Sequence, residues 1–203
     1  MKKQDLFEKK SKNWDMSSTR VKNAKEIADV ILKNISIQKE MVLADFGAGT
    51  GLLTYFLAPN ISKIVAIDNS KSMLDEFLAK QNEFLCDTEV IYGDISECGN
   101  DLKFDGVVSS MTIHHVENIK ELFLKLFNMV NSGGFIAIAD LDSEDGTFHG
   151  DNTGVFHFGF DRGELEAIAK EVGFDDIKFE TANIIEKPNG AFTVFAMTAT
   201  KIS

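Results

Sequence analysis

The sequence predicts an α/β fold: a doubly wound, mostly parallel sheet of seven strands with an antiparallel last strand and a helical N-terminal arm. Three observations predict it. Short apolar runs alternate with segments whose apolar residues recur every three or four positions, which specifies a parallel sheet covered on both faces. The first run ends in a glycine-rich loop, 45–51, that opens a helix. The last two runs follow one another without a helix between them, so they are expected to pair antiparallel.

The arm comes first, over residues 1–36. Residues 10–15 are polar except for Trp14, the only tryptophan. From Thr19, Val21, Ala24, Ala28, Ile31 and Ile35 form one helical apolar stripe. Residues 37–203 are the expected core, and 1–203 are read as one domain. The run 41–46 is a strand that stops at Gly47. A helix over 52–58 ends at Pro59, because proline lacks the N–H a helix interior needs. A second strand is 64–68. Ser72 and Asp75 make a capping-box pattern for a helix carrying Met73, Leu74, Phe77 and Leu78. Strands three and four are 89–92 and 104–110. Ile119, Leu122, Phe123, Leu126, Phe127 and Val130 mark a helix, expected to close on a left-handed glycine in Asn131-Ser132-Gly133-Gly134. The fifth strand is 135–141. Asp161 and Glu164 form an N-cap signature ahead of Leu165, Ile168, Ala169 and Val172, with Gly173 closing that helix. Ile177, Phe179 and Thr181 alternate as a sixth strand. Lys187-Pro188-Asn189-Gly190 is a turn, and 192–200 is the seventh strand.

A chain of 203 residues buries roughly 70% of its unfolded surface and needs no disulfide or metal staple. Its 44% hydrophobic content and two prolines exclude low complexity. Lys and Arg number 21 against 32 Asp and Glu, a net charge of −11, which argues against a nucleic-acid partner. The charge is uneven. Residues 1–40 are net basic. The stretch 126–161 has no Lys or Arg, yet holds Asp140, Asp142, Glu144, Asp145, Asp151 and Asp161. Cys86 and Cys98 have no zinc or redox spacing, so two reduced thiols and a cytoplasmic location are expected. No apolar run approaches the ~18 residues of a membrane span. The N-terminal lysines precede no apolar core, so no signal peptide is expected.

The strongest local signal is Asp45-Phe46-Gly47-Ala48-Gly49-Thr50-Gly51. Such a loop lets a ligand approach the backbone closely, outside the carboxyl ends of the strands. Asp68 ends the next strand, where its carboxylate can accept from a ribose diol. The dinucleotide fingerprint G-x-G-x-x-G needs a small residue at 52, where Leu52 stands. That disfavours a nicotinamide oxidoreductase. Asp45 would repel a pyrophosphate but can pair with a cation, which favours a nucleoside carrying a charged amino-acid tail.

Over nearly its whole length the sequence resembles class I S-adenosylmethionine-dependent methyltransferases. The motifs that carry the resemblance are 43–51, Ile67-Asp68-Asn69-Ser70 with Met73-Leu74, Tyr92-Gly93-Asp94-Ile95, and Asn131-Ser132-Gly133-Gly134. It is most similar to the small ubiquinone/menaquinone-type (type 11/12-like) group, whose N-terminal signature resembles Phe7 through Trp14-Asp15. The resemblance implies a Rossmann-like methyltransferase fold and S-adenosyl-L-methionine as cofactor. It places Asp68 on the ribose hydroxyls, Met73 against the adenine, and Asp94 on the adenine amino group. Gly47, Gly49 and Gly51 would line the methionine moiety. Asp45, Ala48, Asn69, Ile95 and Ser110 complete the implied cofactor set.

Methyl transfer from a sulfonium is an in-line displacement, so the protein mainly orients the reactants and excludes water. A base matters only if the acceptor loses a proton. His114 and His115, just after the fourth strand, are the candidate catalytic residues. Trp14, His149, Phe156, His157 and Phe158 are candidates for the acceptor end, with 154–160 as a lid. The four histidines with Asp140 and Asp142 could hold a metal, but none has helical i, i+4 ligand spacing, so none is expected. The Lys/Arg-free stretch lies where the acceptor should enter. A small neutral or cationic acceptor is therefore expected, with the basic arm docked electrostatically on an acidic body. A protein acceptor, or a non-catalytic S-adenosylmethionine-binding sensor or partner subunit, is the alternative.

Overall fold

The computed structural model describes residues 5–99 and 101–202. β1 (Val42–Phe46) lies mid-sheet, and its alternation sorts the helices. Leu43 joins one apolar cluster, while Val42, Ala44 and Phe46 join the other. β1 pairs parallel with β2 (Lys63–Asp68) and β4 (Phe104–Ser110). β3 (Asp87–Tyr92) extends the sheet beyond β2, and β5 (Val130–Leu141) lies beside β4. β7 (Gly190–Thr200) runs antiparallel between β5 and β6 (Asp175–Lys187). The order is β3-β2-β1-β4-β5-β7-β6, the expected seven strands with an antiparallel last strand. The 187–190 turn closes the β6–β7 hairpin on the pair Lys187 and Gly190.

α1 (Ser18–Asn34), α2 (Leu52–Leu57) and α3 (Lys71–Ala79) cover one face; Ile27, Ile31, Leu53 and Phe77 pack there over Leu43 and Ile64. α4 (Ile119–Met129) and α5 (Arg162–Val172) cover the other, where Phe123, Leu126 and Ala169 meet Ala44, Val107 and Phe195. Phe77, Phe123 and Phe195 are wholly buried, each contributing roughly 1.5–3 kcal/mol by burial. Among the described residues no helix is long and apolar enough to cross a membrane.

Two expected helix ends differ. α3 is capped by Ser70, whose hydroxyl accepts from Met73 N–H at 3.2 Å; Ser72 lies inside the first turn. With Ser70 as the cap, Met73 takes the third helical position, so Asp75 lies too far along to act as a capping-box acid and pairs instead with Lys71 at 2.7 Å. α4 stops at Met129 without a glycine cap, and residues 130–134 already belong to β5. Gly133 takes φ +80° inside that strand and donates to the Lys201 carbonyl at 2.8 Å. The Lys201 ammonium then satisfies carbonyls at the helix end, Phe127 at 2.8 Å and Val130 at 2.9 Å. A residue some seventy positions away does what the local glycines were expected to do.

α5 begins and ends as expected. One Asp161 oxygen accepts from Gly163 N–H at 2.8 Å and Glu164 N–H at 3.0 Å, and Gly173 takes φ +115° at the C-terminus. Replacing Asp161 by Ala should lower stability by about 1 kcal/mol, read as a lower urea midpoint with an unchanged slope.

Candidate functional site

The helices that follow β1 and β4 leave for opposite faces, so their loops part at the carboxyl edge of the sheet. That switch point is where a doubly wound sheet opens a crevice. Gly47 turns the chain there at φ +70° and donates to the Ile67 carbonyl at 2.8 Å. No side chain fits: a Cβ on Gly47 would fall 2.2 Å from Thr112, in the loop after β4. At Gly49 the reverse holds. A Cβ would meet nothing within 4 Å, so this turn of the loop faces open space.

Two carboxylates flank the loop. Asp45 is buried and accepts from the Thr54 hydroxyl at 2.7 Å. Burial pushes its pKa up to about 7; the Thr54 hydrogen bond opposes this, and the nearby Asp68 charge adds to it. Asp68 accepts from Gly49 N–H and Ser70 N–H, both at 2.7 Å. Burial raises its pKa despite those bonds. Asn69 is exposed beyond it. Met73 is buried yet belongs to neither apolar cluster. Asp94 caps a short 3-10 turn, one oxygen accepting from Ser96 N–H at 3.0 Å and Ser96 O–H at 2.7 Å. Ile95 and Ala48 sit in opposite clusters, and Ser110 ends β4 partly buried.

Beyond Ser110, Met111 holds a left-handed φ of +54°, a strained conformation for a side chain of this kind. Its N–H is held by the Ala139 carbonyl at 2.8 Å. The following 3-10 turn, Ile113–His115, delivers both histidines. His114 is buried, with Nδ1 2.8 Å from one oxygen of Asp140 and 3.0 Å from the other. Its Nε2 is buried with no partner among the described residues. His115 uses Nδ1 to donate to the Gly154 carbonyl at 2.7 Å. His149 joins them: ring centroids lie 4.2 Å apart for His114–His115 and 4.9 Å for His114–His149. Burial first, then neighbouring His114, push His115 below its usual pKa and His149 down to about 4. Among the described residues, no group of His, Cys, Asp or Glu has the arrangement to hold a metal ion.

The other acceptor-end candidates separate. His157 turns away, with Nε2 3.0 Å from the Val116 carbonyl, and packs against Phe160 in the groove between α4 and α5. Phe156 and Phe158 are half exposed rather than core, although Phe156 N–H donates to the His114 carbonyl at 2.9 Å.

The arm does lie over the site, but its aspartates, more than its lysines, fasten it. Asp5 accepts from Ser70 O–H at 2.8 Å and Ser72 N–H at 2.9 Å, at the start of α3. Burial opposes the Asp5 charge, yet these bonds and one from Phe7 N–H lower its pKa overall. Asp15 accepts from the Thr50 hydroxyl at 2.5 Å and pairs with Lys80. Phe7 meets Trp14 and His115 edge-on at 5.8 and 5.9 Å, and the Arg20 guanidinium lies 3.9 Å above Trp14. The stretch without Lys or Arg also finds cations in three dimensions. Lys187 donates to the Phe148 carbonyl and covers that ring at 3.6 Å, Arg162 grips Asp142 with two bonds of 2.7 Å, and Lys10 acts on Asp151.

Sequence reasoning about the site missed Asp5, Asp15, Thr50, Lys80 and the Asp140–His114 pair. Asp140 carried a physical signal: a carboxylate inside the apolar run 135–141 has to find a buried partner.

Residues 44–138 match the methyltransferase domain family. An uncharacterized methyltransferase of Schizosaccharomyces pombe is 34% identical over 135 residues, 59% of this chain and 48% of the relative. A ubiquinone biosynthesis O-methyltransferase of Rickettsia bellii is 29% identical over 103 residues, 51% of this chain and 43% of that protein. The chain thus spans just under half the length of these curated relatives. A solved structure of Haemonchus contortus phosphoethanolamine N-methyltransferase 2 with S-adenosyl-L-methionine aligns with a TM-score of 0.71 at 17% identity, covering 98% of this chain and 60% of that one. At that identity the likeness speaks for the fold. Sheet order, glycine loop and sequence matches agree: residues 44–138 are similar to the methyltransferase domain family.

Proposed function

We propose that this chain transfers a methyl group from S-adenosylmethionine to a small, uncharged molecule. The observation that carries the reading is the open glycine turn at Gly49, set beside buried Asp45 and half-buried Asp68 at the switch point and roofed by the arm. The surroundings suit this cofactor. Asp68 stands where a ribose diol can donate to it. Asp45 is buried without a cationic partner among the described residues, and a ligand ammonium would supply one. Met73, buried outside both clusters, offers an apolar surface for a base. Asp94 keeps one carboxylate oxygen clear of Ser96 for an amino group.

The bound cofactor would supply an activated methyl carbon. The chain's own residues would orient and enclose. Gly47, Gly49 and Gly51 let the backbone approach the ligand, and Phe7 and Trp14 of the arm exclude water over the crevice. His114, His115 and His149 surround the acceptor end, and burial holds His115 and His149 below the usual histidine pKa. Cations from outside the acidic stretch offset its charge, which supports a neutral acceptor over a cationic one. Two unpaired thiols, Cys86 and Cys98, support a reducing cytoplasmic setting. The names of the Rickettsia and Haemonchus proteins support a small-molecule acceptor over a macromolecule.

Calorimetry with S-adenosylmethionine, followed by S-adenosylhomocysteine release with a panel of small hydroxyl, amine and thiol compounds, tests the reading. No binding would overturn it. Asp68→Ala should weaken cofactor binding by about 1–3 kcal/mol, the cost of leaving buried donors unpaired. Asp45 gives a pH signature. Its raised pKa means that the native site holds a proton up to about pH 7, which a ligand ammonium must displace. Cofactor affinity should therefore rise as pH increases toward 7, by up to about tenfold per unit, and level off above it. Asp45→Asn should flatten that profile. Asp15→Ala frees Thr50 and Lys80 from the arm and should speed S-adenosylhomocysteine release in stopped flow, with the unfolding midpoint within a few degrees of the parent.

A further inference from the structure

We infer that Asp140 and His114 act together on a hydroxyl acceptor: Asp140 positions the imidazole, and His114 Nε2 takes the hydroxyl proton. The inference rests on the methyl-transfer reading and names the acceptor's chemical class. Asp140 is wholly buried near the end of β5, and three N–H groups converge on it. His114 Nδ1 lies at 2.8 and 3.0 Å from its two oxygens, His114 N–H donates at 3.2 Å, and Leu141 N–H at 2.8 Å. Nδ1 facing a carboxylate is the protonated nitrogen, which in the neutral ring leaves the lone pair on Nε2. That nitrogen is buried and finds no hydrogen-bond partner among the described residues. A buried acceptor with no donor is costly, and a ligand that brings a donor removes the cost.

The missing donor has a definite chemistry. It must donate a hydrogen bond, surrender the proton, and then attack a carbon. A hydroxyl meets all three conditions. An ammonium would lie among the cations Lys10 and Lys187, which act on His115 and His149. A thiol is a weak donor. The position is also right. His114 lies two residues after Thr112, whose hydroxyl donates to the Gly47 carbonyl at 3.3 Å, so the base is built into the wall of the cofactor loop. His115 has Nδ1 on a backbone carbonyl instead of a carboxylate and carries Phe7 of the arm on its ring. In the transfer, the hydroxyl oxygen bonds to the methyl carbon as the sulfur–carbon bond breaks, and that bond's electron pair stays on sulfur. The hydroxyl proton goes to His114 Nε2, and Asp140 stabilises the imidazolium.

Two measurements on the full chain test this. In 15N-histidine protein saturated with S-adenosylhomocysteine, added phenol should move the Nε2 resonance of His114, assigned by its loss in His114→Gln. An unmoved resonance overturns the proposal. In turnover, Asp140→Asn should slow methylation of phenol by about 10²–10⁴-fold with KM within a few-fold, the usual range for a lost acid–base function. The same variant should methylate 4-nitrophenolate, which has no proton to give, at close to the parent rate. Equal losses on both, or parent-enzyme turnover of aniline or thiophenol and not phenol, overturn the proposal. If Asp140→Asn does not fold, the parent's choice among phenol, aniline and thiophenol still decides. Calorimetry separates the layers: absent cofactor binding removes the methyl-transfer reading itself, whereas intact binding with an unmoved resonance removes only the hydroxyl assignment.

Discussion

Burying carboxylates at the ends of parallel strands is the constraint on which the site depends. Asp45 on β1, Asp68 on β2 and Asp140 on β5 all stand at the carboxyl edge, and Asp45 and Asp140 are almost wholly excluded from solvent. A lone buried charge is prohibitively unfavourable, so each must be partnered or neutralised. The three solutions differ. Asp45 takes one hydroxyl and has its pKa lifted to about 7. Asp68 takes two backbone N–H groups from neighbouring loops, and thereby ties the glycine loop to the start of α3. Asp140 takes a histidine, and thereby ties β5 to the loop after β4. The scaffold's rigidity at the crevice and its chemical potential come from the same bonds.

The arm obeys the same logic. It is net basic, yet two of its aspartates fasten it. Asp5 settles on N–H and O–H donors at the beginning of α3, where the helix presents unsatisfied groups. Asp15 bridges the glycine loop and Lys80. Directed bonds to particular donors hold one geometry, whereas diffuse attraction between a basic arm and an acidic body would be screened within about 10 Å at ordinary salt. That is why the net charge of each half says little about how the arm docks.

Elements set by short-range pattern were legible in the chain. The seven strands, the glycine loop and its flanking acids, the Asp161 cap and the hairpin turn all appear where spacing places them. Features that need a distant partner were not. Ser70 rather than Ser72 caps α3, and Asp5 of the arm binds both serines there. Lys201 closes α4 in place of the glycines, because β7 returns along β5 and delivers its end there. His149 and His157 are equally plausible site residues in one dimension, but the loop after β5 folds one onto His114 and the other into the α4–α5 groove.

By itself, the sequence determined the alternation of strands and helices, the reversal that opens a crevice, and the loop with Asp45 and Asp68 beside it. These depend on residue type and spacing over a few positions, where sterics and periodicity act directly. Only the tertiary structure decided that three histidines converge, that Asp140 holds one of them, and that two aspartates pin the arm over the loop. Those contacts join residues 26 to 67 positions apart. Hydrogen-bond geometry at such separations is set by how the sheet packs, and residue order alone does not encode it.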